Sequence, residues 1–418
     1  MYRLFFAGAL LIMGNLFVGC ENKKKTQPTG SFEVEAFAPV AIPRTNDIKL
    51  FVHYMPWFET PETDPNNQWG IHWTMANQNP DQTGADGYPE VASHFNPLIG
   101  PYASGDPNVV EYHLLLMKYA GIDGVLIDWY GTFDVIDYRS NKENAVVLID
   151  KLSEVGLQFG IVYEDRTLSQ VVEAGLESGQ LNAAIEDMSY LERNYFSRDE
   201  YITIENKPLL MVFGPINLQN EEEWSQAFDN LNQKPCFLTL WDQSVDAGSN
   251  ADGEYAWVYA NNNHLQNFYS QKVDGLNFWM GSAYPGFVDF YAAGGWSDDI
   301  GWEIPHNDGA TLDETLQMAV DAGVEYLQLV TWNDFGEGTM IEPTHEFEYE
   351  YLQKVKDFAG VRSVDSGFDL IYSLFEKRKQ FRQNSMIQKK LDQVFYYLVS
   401  MQPELAADIM EDVENESL

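Results

Sequence analysis

Tyr326-Leu327-Gln328-Leu329-Val330-Thr331-Trp332 runs directly into Asn333-Asp334-Phe335-Gly336-Glu337-Gly338. The first seven residues are β-rich and mostly apolar, the composition of a buried strand. The next six read as a turn, because Gly336 and Gly338 can take backbone angles closed to other residues. The same unit, an apolar run ending in polar or aromatic residues, recurs along the chain. Residues 48–54, 124–129, 157–163, 208–213, 236–241, 255–259, 278–283 and 326–332 make eight candidate strands. Amphipathic stretches lie between them, at 109–119, 145–155 and 312–322 among others. Thr311-x-x-Glu314 has the spacing of a helix-starting capping box, and Gly121 and Gly156 stand where helices should stop. Continuous apolar strands alternating with helices imply a parallel sheet. Eight such repeats imply an α/β fold, the (β/α)8 TIM barrel. A doubly wound open sheet is the alternative. It calls for a glycine-rich turn after the first strand, where this chain has His53-Tyr54-Met55-Pro56-Trp57.

In a barrel the residues just past each strand end share one rim, where the chemistry is placed. Here that rim reads Tyr54 and Trp57, Asp128-Trp129-Tyr130, Tyr163-Glu164-Asp165, Trp241-Asp242, Asn261, Tyr284, and Asp334 with Glu337. The long first loop, 58–107, adds His72 and Trp73. Two carboxyl groups in one cleft repel as anions, so one tends to keep its proton while the other acts as a base. Asp334 and Glu337 are therefore the expected catalytic pair, in the arrangement that glycoside hydrolysis requires. The plainer alternative is that both acids decorate a surface loop. An open, aromatic-walled cleft is expected from Tyr54, Trp57, His72, Trp73, Trp129, Tyr130, Trp241 and Tyr284, with Asp128 and Glu164 as further substrate contacts. A second acid pair, Asp128 with Glu164, would suit another reaction class.

Aromatic residues make up 14% of the chain, including 11 Trp and 23 Tyr, and flat apolar faces suit the C–H faces of sugar rings. The net charge of −39 argues against nucleic acid and against strongly anionic polymers as partners. No H-x-x-x-H or C-x-x-C spacing, phosphate loop or nucleophile elbow occurs, so no metal and no cofactor is expected.

Residues 1–19 read as an export signal, with Arg3 before a short apolar run and Phe17-Val18-Gly19-Cys20 at its end. The run is too short for a membrane span. A small residue directly before Cys20 is similar to the bacterial lipoprotein box, in which that cysteine is lipidated. Such a protein would sit on the envelope, at the outer membrane, through its lipid alone. An ordinary secretory signal is the alternative. Residues 20–46 then read as a flexible tether, 47–360 as the catalytic barrel and 361–418 as a helical extension. A monomer is expected.

Four segments resemble glycoside hydrolase families 99 and 71. They are Tyr54-x-x-Trp57 with Ile71-His72-Trp73, Asp128-Trp129-Tyr130-Gly131, Pro285-Gly286-Phe287-Val288-Asp289, and 332–342. Together they span roughly residues 50–343. Family 99 commonly has serine at Asp128, tyrosine at Phe287 and glutamate at Asp334. The family 71 α-1,3-glucanases resemble Trp332-Asn333-Asp334-Phe335-Gly336-Glu337 directly. Family 99 implies endo-cleavage of α-mannosidic bonds with retention, the first acid assisting the sugar's own 2-hydroxyl and the second serving as general acid and base. Family 71 implies α-glucan cleavage with inversion. On this resemblance Glu337 is the acid with a raised pKa and Asp334 the ionised base. A catalytically silent, glycan-binding barrel is the competing reading.

Overall fold

The computed structural model describes residues 32–298, 300–361 and 367–416. The chain divides between Glu33 and Val34, and all elements named below belong to the second unit. The export signal, Cys20 and the start of the tether lie outside the described residues. Among the described residues no helix is long and apolar enough to cross a membrane.

In chain order the elements are β1 (Lys49–Tyr54), α1 (Ile71–Thr74), α2 (Pro107–Tyr119), β2 (Gly124–Trp129), α3 (Tyr138–Val155), β3 (Gln158–Tyr163), α4 (Thr167–Glu173) and α5 (Gln180–Asn194). Then come β4 (Thr203–Ile204), β5 (Lys207–Val212), α6 (Glu221–Phe228), β6 (Cys236–Leu240), α7 (Ser244–Ala247), β7 (Gly253–Tyr255) and α8 (Asn262–Asn267). β8 (Phe278–Ala283), α9 (Tyr291–Gly294), α10 (Ala310–Asp321), β9 (Tyr326–Leu329) and α11 (Glu350–Ala359) complete the barrel. α12 (Gly367–Gln380), α13 (Ser385–Val399) and α14 (Pro403–Glu416) follow it.

β4 is a two-residue antiparallel partner of β5. The other eight strands are parallel in the order β3-β2-β1-β9-β8-β7-β6-β5, and β3 pairs with β5 to close the ring. This is the (β/α)8 barrel expected from the eight repeats. β7 is displaced from its expected place at 255–259. A Cβ on Gly253 would strike the carbonyl of Phe278, so this glycine allows the two backbones to approach where the strand begins.

Local signals explain the helix ends. Asp106 caps α2 by accepting from Asn108 N at 2.8 Å, with Pro107 in the first turn. Gly156 ends α3 in the left-handed conformation at φ 79°.

The period of two along each strand then sorts side chains between two compartments. Tyr54, Trp129 and Tyr163 turn outward to the helices, where Tyr54 shares a 3.0 Å hydrogen bond with His113 of α2 and Trp129 stacks on Tyr190 of α5. His53, Asp128 and Gln328 have the opposite parity and occupy the barrel interior, with His53 Nε2 4.0 Å from Asp128.

The expected tether is corrected from Glu35 onward. Glu35 N donates to Gln393 at 2.6 Å, Val40 N to Val399 O at 2.9 Å, and Asn46 Nδ2 to Phe358 O at 2.9 Å. Arg44 pairs with Asp123 at 2.8 Å and donates to Gly121 O at 2.7 Å. Backbone and side-chain bonds along this stretch bind it to the barrel floor and to α13. The C-terminal helices dock on the far side of α2, where Arg378 bridges Glu111 at 3.0 Å and Asp392 at 2.6 Å.

Candidate active site

The loop after β9 is shaped by its own polar atoms. Asp334 N donates to Thr331 Oγ1 at 2.8 Å, Thr331 N to Thr339 O at 2.8 Å, and Glu337 N to Asp334 Oδ1 at 3.0 Å. Gly338 has φ +65°, and a Cβ there would meet Val288 O at 2.8 Å and Phe95 at 3.0 Å. Glycine is therefore required, and the tight turn brings Glu337 back over Asp334. Beneath it Asn333 anchors the loop to β1, accepting from Met55 N at 2.8 Å and donating to Met55 O at 3.0 Å and Tyr102 Oη at 3.1 Å. Tyr102 donates in turn to Glu342 at 2.7 Å, and Glu342 lies 3.2 Å from His113.

Asp334 opens on a small cavity of about 60 Å³, walled by Trp57, His72, Tyr130, Arg166, Tyr291 and Trp296. Trp57 and His72 stack at 4.1 Å and 6°, and His72 Nε2 bonds Asp137 at 3.0 Å. Tyr130 tilts against Trp57 at 6.2 Å. Tyr291 donates to Glu337 Oε1 at 2.8 Å. Arg166 Nε pairs with Glu164 at 2.8 Å.

Electrostatically the site is crowded with acids. Burial raises the pKa of Glu337, while the Tyr291 hydrogen bond and the Arg166 charge oppose that rise. Asp334 is raised well above the ordinary range, by burial first and then by the charge of Glu337. Two backbone N–H bonds to Asp334 oppose the shift without cancelling it. Both acids are thus held above the ordinary carboxyl range by burial, and the charge of one resists ionisation of the other. Asp128 and Glu164 are both raised as well, chiefly by burial, and each feels the charge of Glu337.

Trp57, His72, Tyr130 and Asp334 thus line one cavity, with Glu337, Asp128 and Glu164 within electrostatic reach of one another. Tyr54, Trp129 and Tyr284 do not join them, being completely buried toward the helix layer. Tyr284 donates to Asn262 at 3.0 Å. Trp73 is also fully buried, with Nε1 donating to Tyr102 O at 2.7 Å and its ring against Phe58. Trp241 packs on Phe268 of the wall near α8 and is no part of this cavity. The physical reason is strand parity for Tyr54 and Trp129. A residue next to an inward-facing one, as Tyr54 is to His53 and Trp129 to Asp128, must face outward. Arg166, Tyr291 and Trp296 were not singled out from the sequence. The signal for the last two was the aromatic, glycine-rich stretch 284–302, which the resemblance touched only at 285–289. Among the described residues no group of three or more His, Cys, Asp or Glu is placed to hold a metal ion.

Residues 45–308 match the model of Glycosyl hydrolase family 99. The chain belongs to glycoside hydrolase family 99, and it is a glycoside hydrolase. The family match ends before Asp334 and Glu337, so these two acids rest on the loop geometry and on their own motif. Two curated relatives are similar over most of their length. The glycoprotein endo-alpha-1,2-mannosidase-like protein of Danio rerio is 22% identical over 345 residues, covering 71% of this chain and 70% of that one. The human protein of the same description is 22% identical over 336 residues, covering 70% and 68%. The solved structure of a family 99 endo-alpha-mannosidase from Bacteroides thetaiotaomicron aligns with TM-score 0.58 at 20% identity, covering 76% of this chain and 99% of that one. It shares the fold. In this family 99 chain Asp334 and Glu337 stand in the loop after the last barrel strand.

Proposed function

We propose that this family 99 protein is an exported, endo-acting α-mannosidase that cleaves α-linked glycans or mannan with the Asp334–Glu337 pair. The observation that carries the reading is the convergence of both acids on an aromatic-walled cavity, with Asp334 in its wall and Glu337 held by Tyr291. Glu337 protonates the leaving oxygen as the C1–O bond breaks. Asp334 takes the proton of the substrate's 2-hydroxyl, whose oxygen attacks C1. Water then opens the resulting ring, giving its proton to Glu337, and Asp334 returns its own to O2. Asp334 must be ionised and Glu337 protonated for the first step. A 2-hydroxyl donating to Asp334 favours that arrangement, because a hydrogen bond to the anion stabilises it.

Aspartate is shorter than glutamate by one C–C bond, about 1.5 Å. The α-1,3-glucanase-like alternative, in which Asp334 activates a water, is favoured by this one residue. Gly19-Cys20 after a short apolar run supports a lipid-anchored monomer on the bacterial envelope. The test is release of reducing ends from α-mannans and α-glucans, with the anomer of the first product read by NMR. α-Mannan cleavage with retention is expected. Inverted product from α-1,3-glucan would replace this reading with the glucanase one, and inactivity on every α-glycan would favour a binding barrel.

A further inference from the structure

A lone exposed tryptophan is ordinary on a protein surface and by itself indicates nothing. Trp296 differs in what fixes it. Its ring lies nearly parallel to that of Tyr291, at 6.2 Å and 18°, and meets the edge of His72 at 5.6 Å. Tyr291 is the residue that donates to Glu337 Oε1. The backbone N of Trp296 donates to Tyr291 O at 2.9 Å. The turn before it is clamped to the first long loop, where Ala76 N donates to Gly294 O at 2.9 Å and Asn77 Nδ2 to Ala293 O at 2.8 Å. Two loops from opposite ends of the chain thus hold Trp296 in place, yet 42% of its surface is open at the cavity mouth. Such ordering of a large apolar ring without burying it suits a ligand that completes the burial.

The side of the cleaved bond follows from the chemistry of Glu337. A general acid must touch the leaving oxygen. The sugar that carries this oxygen therefore lies beside Glu337, and the open aromatic surface one ring beyond Tyr291 is Trp296. We propose that Trp296 is the stacking platform for the sugar on the leaving-group side of the cleaved bond, a neutral pyranose presenting its C–H face. This rests on reading Glu337 as the acid.

The test compares two substrates with the same non-reducing portion. One is an α-linked oligosaccharide, which fills the leaving-group side. The other is the α-glycosyl fluoride, whose C–F bond breaks to release fluoride with no sugar there, water supplying the new hydroxyl. Wild type should turn over both. Trp296→Ala should lower kcat/KM on the oligosaccharide by roughly fivefold to tenfold more than on the fluoride, the scale of one stacking contact. Trp296→Tyr, which keeps an aromatic face, should recover most of that difference. Equal losses on both substrates, no loss on the oligosaccharide, or no recovery with tyrosine would each overturn the platform. A wild type inert on both substrates overturns the hydrolase reading itself, and the platform with it.

Discussion

Glu337 and Asp334 differ by more than one methylene. Removing the acid, Glu337→Gln, should lower activity on ordinary glycosides about 10²–10⁴-fold. The loss should be far smaller on an aryl glycoside, whose phenolate leaves without a proton. Asp334→Asn should slow both substrates alike, and equal losses for both variants on both substrates would remove the division of roles. The protonated acid is present below its pKa and lost above it, so kcat/KM should fall as pH rises through the raised value of Glu337. The Tyr291 hydrogen bond stabilises the carboxylate and so holds that value down. Tyr291→Phe should therefore move the basic limb of the pH profile upward, and a limb that stays in place or moves down would show that the bond has no such effect. Trp129 changes meaning between sequence and structure. As a rim residue, its replacement by alanine would weaken glycan binding about tenfold, the scale of a stacking contact. As a fully buried ring on Tyr190, it should lower stability by about 3–5 kcal/mol in denaturant unfolding.

At the scale of the element, the loop after β9 is held from below as well as within. Asn333 is tied to β1 and to Tyr102, and Tyr102 and His113 converge on Glu342, which is buried. Removing that carboxylate leaves a tyrosine hydroxyl and an imidazole buried without their partner. Glu342→Ala should lower stability by about 1–3 kcal/mol, the cost of leaving buried hydrogen-bonding groups without a partner. It should also lower kcat on the glycan more than it raises KM, since the loop carries the reacting carboxylates. A stability loss with unchanged kcat would confine the network to folding.

Across the molecule, the three C-terminal helices and residues 35–46 enclose the barrel on the sides away from the cavity. Arg378 spans the junction, bridging Glu111 of α2 and Asp392 of α13. Arg378→Ala should leave Glu111 with the longer Lys151 contact at 3.6 Å and destabilise the protein by about 1–3 kcal/mol. Its kcat/KM below the unfolding transition should match wild type, because neither Arg378 nor its partners line the cavity. A selective loss of activity would mean that the helical extension reaches the chemistry. The net charge of −39 repels anionic polymers at any orientation and leaves neutral glycans unaffected.

What the residues determined unaided was local and periodic. Eight apolar runs separated by helices pointed to a parallel barrel ahead of a doubly wound sheet, and glycines two apart after the last run made the Asp334–Glu337 turn readable. Cys20 remains a matter of its own short context. Strand parity was also in the sequence, since Asp128 and Trp129 are neighbours and must face opposite ways, but which of them faced the cavity awaited the closed ring. Only the tertiary structure brought Arg166, Tyr291 and Trp296 to the two acids, because their loops are far apart in the chain and meet through barrel closure. It alone set the electrostatic surroundings of the two acids as well. Burial and the pairing of charges across loops set the pKa of a carboxyl group, and neither is a property of the residue or of its sequence neighbours.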